Sequence, residues 1–164
     1  MILIELISKS ILHWICLVIL LSNIGCMAPQ LAKELVSSDL STFRYNSRGM
    51  PGAVEYNCFI DFNKRELTTV ISQVSWKNPH YEKKTILLSS EQISILRQAF
   101  HKAQLLRWGP KYTPEHCFLD GTFWTLKYTL VNGTAKTING DNTWPYHIRY
   151  IEKAIKSTGA EFIH

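Results

Sequence analysis

Residues 122–139 constrain the fold of this chain more than any other stretch. Two runs of alternating character, 122–131 and 134–139, meet at Asn132-Gly133. Trp124, Leu126, Tyr128 and Leu130 share one face of the first run, which is the period-two signature of a half-buried strand. Both residues of an Asn-Gly pair accept the positive φ that a type I′ turn demands, so the two runs should form a tight β-hairpin.

The residues around this hairpin supply a second one. Val54, Tyr56, Cys58, Ile60 and Phe62 alternate with Glu55, Asn57 and Asp61, although Phe59 falls out of phase. Residues 67–76 are rich in β-branched side chains, and Asn63-Lys64-Arg65-Glu66 between the two runs suits a hairpin connection. Residues 84–88 add a short third strand. Ser89 and Gln92 then stand at capping-box spacing, ahead of an apolar stripe of Ile93, Leu96, Ala99, Phe100 and Ala103. Near the end of the chain, Pro145 suits the first turn of a helix. Ile148, Ile151 and Ile155 repeat at helical spacing, and Gly159 is a natural stop. The expectation is an α+β domain over residues 53–164, a small antiparallel sheet of about five strands in two hairpins packed by two amphipathic helices.

Residues 11–21 are strongly apolar but shorter than the roughly 20 residues that a bilayer crossing needs. They follow Lys9 and run through Ser22 and Asn23 into Ile24-Gly25-Cys26. This end of the chain resembles bacterial lipoprotein precursors, in which a signal peptidase cuts ahead of a diacylglyceryl-modified cysteine. Ile24-Gly25-Cys26 matches the three lipobox positions nearest the cut, Asn23 stands where leucine is usual, and Glu5 interrupts the positive start. The resemblance implies a signal peptide over 1–25, lipidation (including palmitate) at Cys26 and anchorage in the cell envelope. The domain would then face the periplasm or the exterior. Met27 in place of aspartate resembles the outer-membrane-sorted pattern of Gram-negative lipoproteins. An uncleaved anchor and plain secretion are the competing accounts of the same segment. Residues 26–52, with several serines and glycines and few large apolar side chains, read as a tether.

Export changes the meaning of the cysteines. Cys16 leaves with the apolar run and Cys26 is consumed by lipid, so Cys58 and Cys117 remain as an even pair in an oxidising compartment. A disulfide between them is expected, and it would contribute about 4 kcal/mol in the chain-entropy description. Two buried free thiols, or a reactive Cys117, are the alternatives. The net charge of +5 favours acidic partners such as anionic lipid headgroups, cell-wall polymers or an acidic protein. With no arginine-rich run and an address outside the cytosol, nucleic acid is not an expected partner.

Asp120-Gly121-Thr122-Phe123-Trp124, followed by Gly140-Asp141-Asn142-Thr143-Trp144-Pro145, resembles a pattern in small, mostly uncharacterised exported bacterial proteins. That resemblance implies a shared α+β scaffold and carries over no catalytic residue. The motif reads first as scaffold: glycines for backbone freedom, Trp124 for buried area, and Asp120 and Asn142 for loop hydrogen bonds. The alternative is a recognition edge, with Arg107, Trp108, Lys111, Tyr112 and Trp144 converging from two loops, since aromatic and arginine anchors are what interfaces favour.

Catalytic patterns are thin. His116 adjoins Cys117, but neighbours on an extended segment point to opposite faces. His80, His116, Asp120 and His147 show no ligand spacing, so no metal or other cofactor is expected. Glu115 and Asp120 are an unremarkable carboxylate pair, and no nucleophile-elbow, phosphate-loop or dinucleotide fingerprint occurs. The leading expectation is a monomeric, non-enzymatic binding module anchored to the envelope. An immunity protein against a delivered toxin, or an inhibitor of an envelope hydrolase, is its more concrete form, with residues 109–114 as an inserting loop. An enzyme is the third possibility.

Overall fold

Phe43 and Tyr45 are fully buried, and the strand that carries them is hydrogen-bonded on both sides. In the computed structural model, which describes residues 40–49, 53–73, 80–115 and 121–163, this strand is β1 (Leu40–Arg48). The others are β2 (Val54–Asp61), β3 (Glu66–Gln73), β4 (His80–Leu87), β5 (Lys111–Tyr112), β6 (Phe123–Leu130) and β7 (Ala135–Asp141). Helix α1 (Ser90–Lys102) follows β4, a 3-10 turn (Leu105–Arg107) precedes β5, and helix α2 (Ile148–Ser157) follows β7. All belong to one compact unit, Ser38–His164. The expected signal peptide and lipidation site, with Cys16 and Cys26, and the positions His116, Cys117 and Asp120, lie outside the described residues.

The strands form one seven-stranded sheet in the order β4-β3-β2-β1-β6-β7-β5. Every pairing is antiparallel except β5 with β7, which is parallel. This corrects the expectation of about five antiparallel strands in two hairpins, while the α+β class stands. Two additional strands, β1 and β5, explain the difference. β1 occupies part of the segment read as tether, because only Phe43 and Tyr45 supply large apolar side chains at period two. A register shift between Leu40 and Thr42 hides the third. β5 is two residues long, too short to leave a periodic trace.

β4 lies at one edge and β5 at the other, so residues 88–110 carry the chain across the sheet, with α1 on the way. Ser89 Oγ accepts from Gln92 N at 3.1 Å, and Gln92 Oε1 accepts from Ser89 N at 2.9 Å, which is the reciprocal box that the spacing predicts. Leu96, Ala99 and Phe100 of α1 and Ile148, Ile151, Ala154 and Ile155 of α2 enter the same core as the inward strand residues. Phe100 meets Phe43 with ring centroids 4.7 Å apart. Both helices therefore cover one face of the sheet.

Turn chemistry departs from the type I′ expectation. Positive φ occurs at Gly133 (85°) and not at Asn132, while Gly133 N donates to Leu130 O at 2.9 Å and Leu130 N to Thr134 O at 2.8 Å. The loop is thus three residues, Val131-Asn132-Gly133, closed by a left-handed glycine as in bulged hairpins. Asn132 Oδ1 instead accepts from Thr134 N at 3.0 Å. The β2–β3 loop uses the same device with Asp61 Oδ1, which accepts from Asn63 N and Lys64 N.

Beyond α2 the chain folds back to close the core. Gly159 turns it at φ 86°, Phe162 stacks on Tyr45 at 4.8 Å, Tyr56 Oη donates to Glu161 O, and Ser47 Oγ donates to Ile163 O at 3.2 Å. Cys58 lies beneath this seal as a fully buried free thiol; its expected partner, Cys117, is among the residues not described. Burial pushes the Cys58 thiol up to about 12 and the Tyr45 phenol up to about 12. Tyr56 is raised as well, by burial first and then by Cys58.

These groups stay protonated in the folded protein where an unfolded chain would ionise. Their contribution is complete below the ordinary thiol value of 9.0 and is lost as pH rises toward about 12. Melting temperature should therefore fall steeply across that window, with phenolate absorbance rising together with unfolding. At about pH 8, Cys58 should resist alkylation in the native state and react in denaturant, as read by peptide mass mapping.

Candidate functional site

The five residues expected to form a recognition edge come together only in part. β5 pairs with β7 through Lys111 with Asn139 and Tyr112 with Gly140, so the loop of residues 107–115 does adjoin the β7 end. Its aromatic members, however, are built into the scaffold. Trp108 is buried and its indole donates to Ala103 O at 2.7 Å. Tyr112 packs between Trp108 and Trp124, and its hydroxyl accepts from Gly109 N at 3.1 Å. Trp144 is half-buried and donates to Tyr45 Oη at 3.3 Å. Only Arg107 and Lys111 stand exposed. Residues 109–114 are not a free inserting loop, since Pro110 O accepts from Asn139 N at 3.0 Å and the strand that follows is held in the sheet.

The repeated glycine, asparagine and tryptophan positions have a direct steric explanation. A Cβ on Gly140 would lie 2.0 Å from the Trp124 ring, and one on Gly121 would lie 1.8 Å from the Asn142 amide. The Trp124 ring packs directly against Gly140, and its indole donates to Thr143 O at 3.0 Å. Asn142 holds φ at 48° while its Oδ1 accepts from Thr122 N at 2.8 Å. The motif thus ties the open end of the β6–β7 hairpin to the loop that enters α2. Close by, His147 stacks on Tyr150 and meets the edge of Tyr146. His147 Nδ1 and Asp141 Oδ1 are buried without a hydrogen bond among the described residues. His80 lies on the β4 edge, 3.9 Å from Glu82. Among the described residues no three His, Cys, Asp or Glu side chains are grouped to hold a metal, and no helix is long and apolar enough to cross a membrane.

The face of the sheet turned away from the helices is a different surface. It presents the alternate residues of each strand, and the cross-strand register aligns them in rows. One row places Phe59 opposite Arg44 and Arg44 opposite Lys127. The next aligns Val70, Asn57, Asn46, Thr125 and Asn139 across five strands. Within that row Asn46 Nδ2 donates to Asn57 Oδ1 at 2.5 Å, and Thr125 Oγ1 donates to Asn139 Oδ1 at 2.9 Å. Beyond it, Arg48 pairs with Glu55 at 3.2 Å, and Phe123 is 57% exposed.

Arg44 and Lys127 are like charges placed directly opposite on the two central strands, an arrangement that destabilises a sheet. Neither forms an ion pair among the described residues. The nearby carboxylates of β2 are engaged, Glu55 by Arg48 and Asp61 by its own turn. Arg44 leans away from Lys127, its guanidinium 5.1 Å from the centre of the Phe59 ring, and a cation over a ring face is attracted to it. The residue that broke the alternation of β2 is therefore the one that supports an exposed arginine. Phe59 and the alternating Glu55, Asn57 and Asp61 mark this face in the sequence of β2; the Arg44 and Lys127 juxtaposition depends on β1, which lies in the segment read as tether.

Two substitutions separate scaffold from surface. Gly140→Ala should cost about 3 kcal/mol, the upper part of the range for overpacking a rigid core, measured by denaturant unfolding. Lys127→Gln should do the opposite and stabilise by a few tenths of a kcal/mol, on the order of one cross-strand pair.

Against these features, comparison with known proteins adds no relative: no protein-family model and no curated protein matches the chain.

Proposed function

We propose that this chain is a lipid-anchored, non-enzymatic binding module of the cell envelope, and that its recognition surface is the helix-free face of the sheet. The observation that carries the reading is the pair of cations, Arg44 and Lys127, held opposite one another at the middle of that face with no ion-pair partner among the described residues. A fold gains nothing by opposing like charges on its central strands, whereas an anionic partner turns the same arrangement into a complementary surface. The envelope address is supported by the apolar run and Ile24-Gly25-Cys26. Among the described residues, both helices and the core lie on the opposite side of the sheet.

The two halves of the reading are tested separately. Cells grown with labelled palmitate should yield a labelled chain in the membrane fraction, and Cys26→Ser should abolish the label and release the protein. Unlabelled, full-length protein in the soluble fraction would overturn the address. For the surface, a photo-crosslinking residue at position 125 should capture an envelope component in intact cells, and a charge-reversing Arg44→Glu change should abolish the adduct. The same residue at exposed position 153 on α2 should capture none. Equal capture at both positions, or none at 125, would sink the surface.

A further inference from the structure

Resting on that reading, we infer that the helix-free face binds an acidic polysaccharide, a chain of carboxylate-bearing sugars lying across the strands. The amide and hydroxyl row supplies the first argument. After the hydrogen bonds within it are formed, Asn46 Oδ1, Asn57 Nδ2 and Asn139 Nδ2 have no partner among the described residues. An amide offers two donors and two acceptor lone pairs. These groups match the hydroxyl and acetamido substituents of a sugar chain. Neighbouring strands lie about 4.8 Å apart, close to the repeat of an extended pyranose chain, so successive sugars would meet successive strands.

Charge supplies the second argument. Arg44 and Lys127 stand in the row beside the amides, where they reach a carboxylate carried on the same chain. A guanidinium takes a carboxylate through paired donors, and the ammonium adds a point charge. Phe123, largely exposed at the far side of the amide row, offers an apolar face to the ring CH groups of a sugar. An acidic polypeptide is the less suitable occupant. Protein interfaces centre on a cluster of buried aromatic and aliphatic anchors, whereas on this face Phe59 is already covered by the Arg44 guanidinium and the row beside it is mainly amides and a hydroxyl.

The test uses the full-length chain in non-ionic detergent and three immobilised polymers: polygalacturonate, neutral dextran and poly-glutamate. Polygalacturonate should retain the protein in a salt-sensitive manner, and dextran should not. Arg44→Gln with Lys127→Gln should weaken retention at least about tenfold without lowering the melting temperature. Lys102→Gln with Lys153→Gln, which removes the same charge from exposed helix positions, should leave retention unchanged. Phe123→Ala should weaken binding to polygalacturonate and leave any binding to poly-glutamate untouched.

No retention on polygalacturonate overturns the inference. So does equal weakening by the helix-charge control, which would mean non-specific attraction of a basic protein to any polyanion. Tighter binding to poly-glutamate that is insensitive to Phe123→Ala would assign the face to an acidic protein. If the position-125 adduct forms in cells while these polymer tests fail, the ligand class falls and the binding surface stands. If both fail, the surface falls as well.

Discussion

Strand β1 is the one segment that hydrogen-bonds to both halves of the sheet. On one side lies the β2-β3-β4 meander and on the other the β6–β7 hairpin with β5 added to it; without β1, each half would leave an unpaired edge where it meets the other. β1 removes both edges at once. Its inward side chains Phe43, Tyr45 and Ser47 then join the two apolar surfaces into one core, with Tyr45 touching Tyr56 from one half and Trp124 from the other. The helices, the folded-back segment at Phe162 and the flat outer face all depend on that junction.

Elements with a strong local signature were legible in the sequence: the β2 and β3 runs, the capped α1 helix, the isoleucine stripe of α2 and the β6–β7 hairpin. Their information lies within a few residues, in periodicity and capping chemistry. What could not be read depends on contacts distant along the chain. β1 looks polar because one of its faces is meant to remain in water, and its worth appears only when it is placed between β2 and β6. β5 exists because Asn139 and Gly140 are there to pair with it. The Asn132-Gly133 turn was found in the right place with the wrong geometry, since the one-residue difference between two hairpin loops is settled by strand register rather than by the dipeptide. Gly121, Trp124, Gly140 and Asn142 make the close contacts and loop hydrogen bonds that their residue types suggest, while Asp120 lies outside the described residues. The aromatic residues offered as a recognition edge failed as exposed anchors for the same reason: large rings near a hairpin end are used first to fill it.

The two faces of the sheet record different demands. Inward, steric fit is tight enough that Gly140 admits no side chain beneath Trp124. Outward, packing asks little, and the sequence is free to place side chains for other ends. Holding Arg44 opposite Lys127 works against stability, and the lean of Arg44 over Phe59 offsets that cost. Such local inconsistency with the fold is what binding surfaces characteristically show.

The seal over Cys58 also sets the order of events during synthesis. Ser47 closes onto Ile163, 116 residues further along, and β1 cannot be flanked until residues 123–130 have been made. A nascent chain can form hairpins and helix turns, but the core that makes those elements cooperative has to wait for its distant partners. The two ends of the domain thus meet in one core, and cooperative stability is gained only when almost all of residues 40–163 are available to pack.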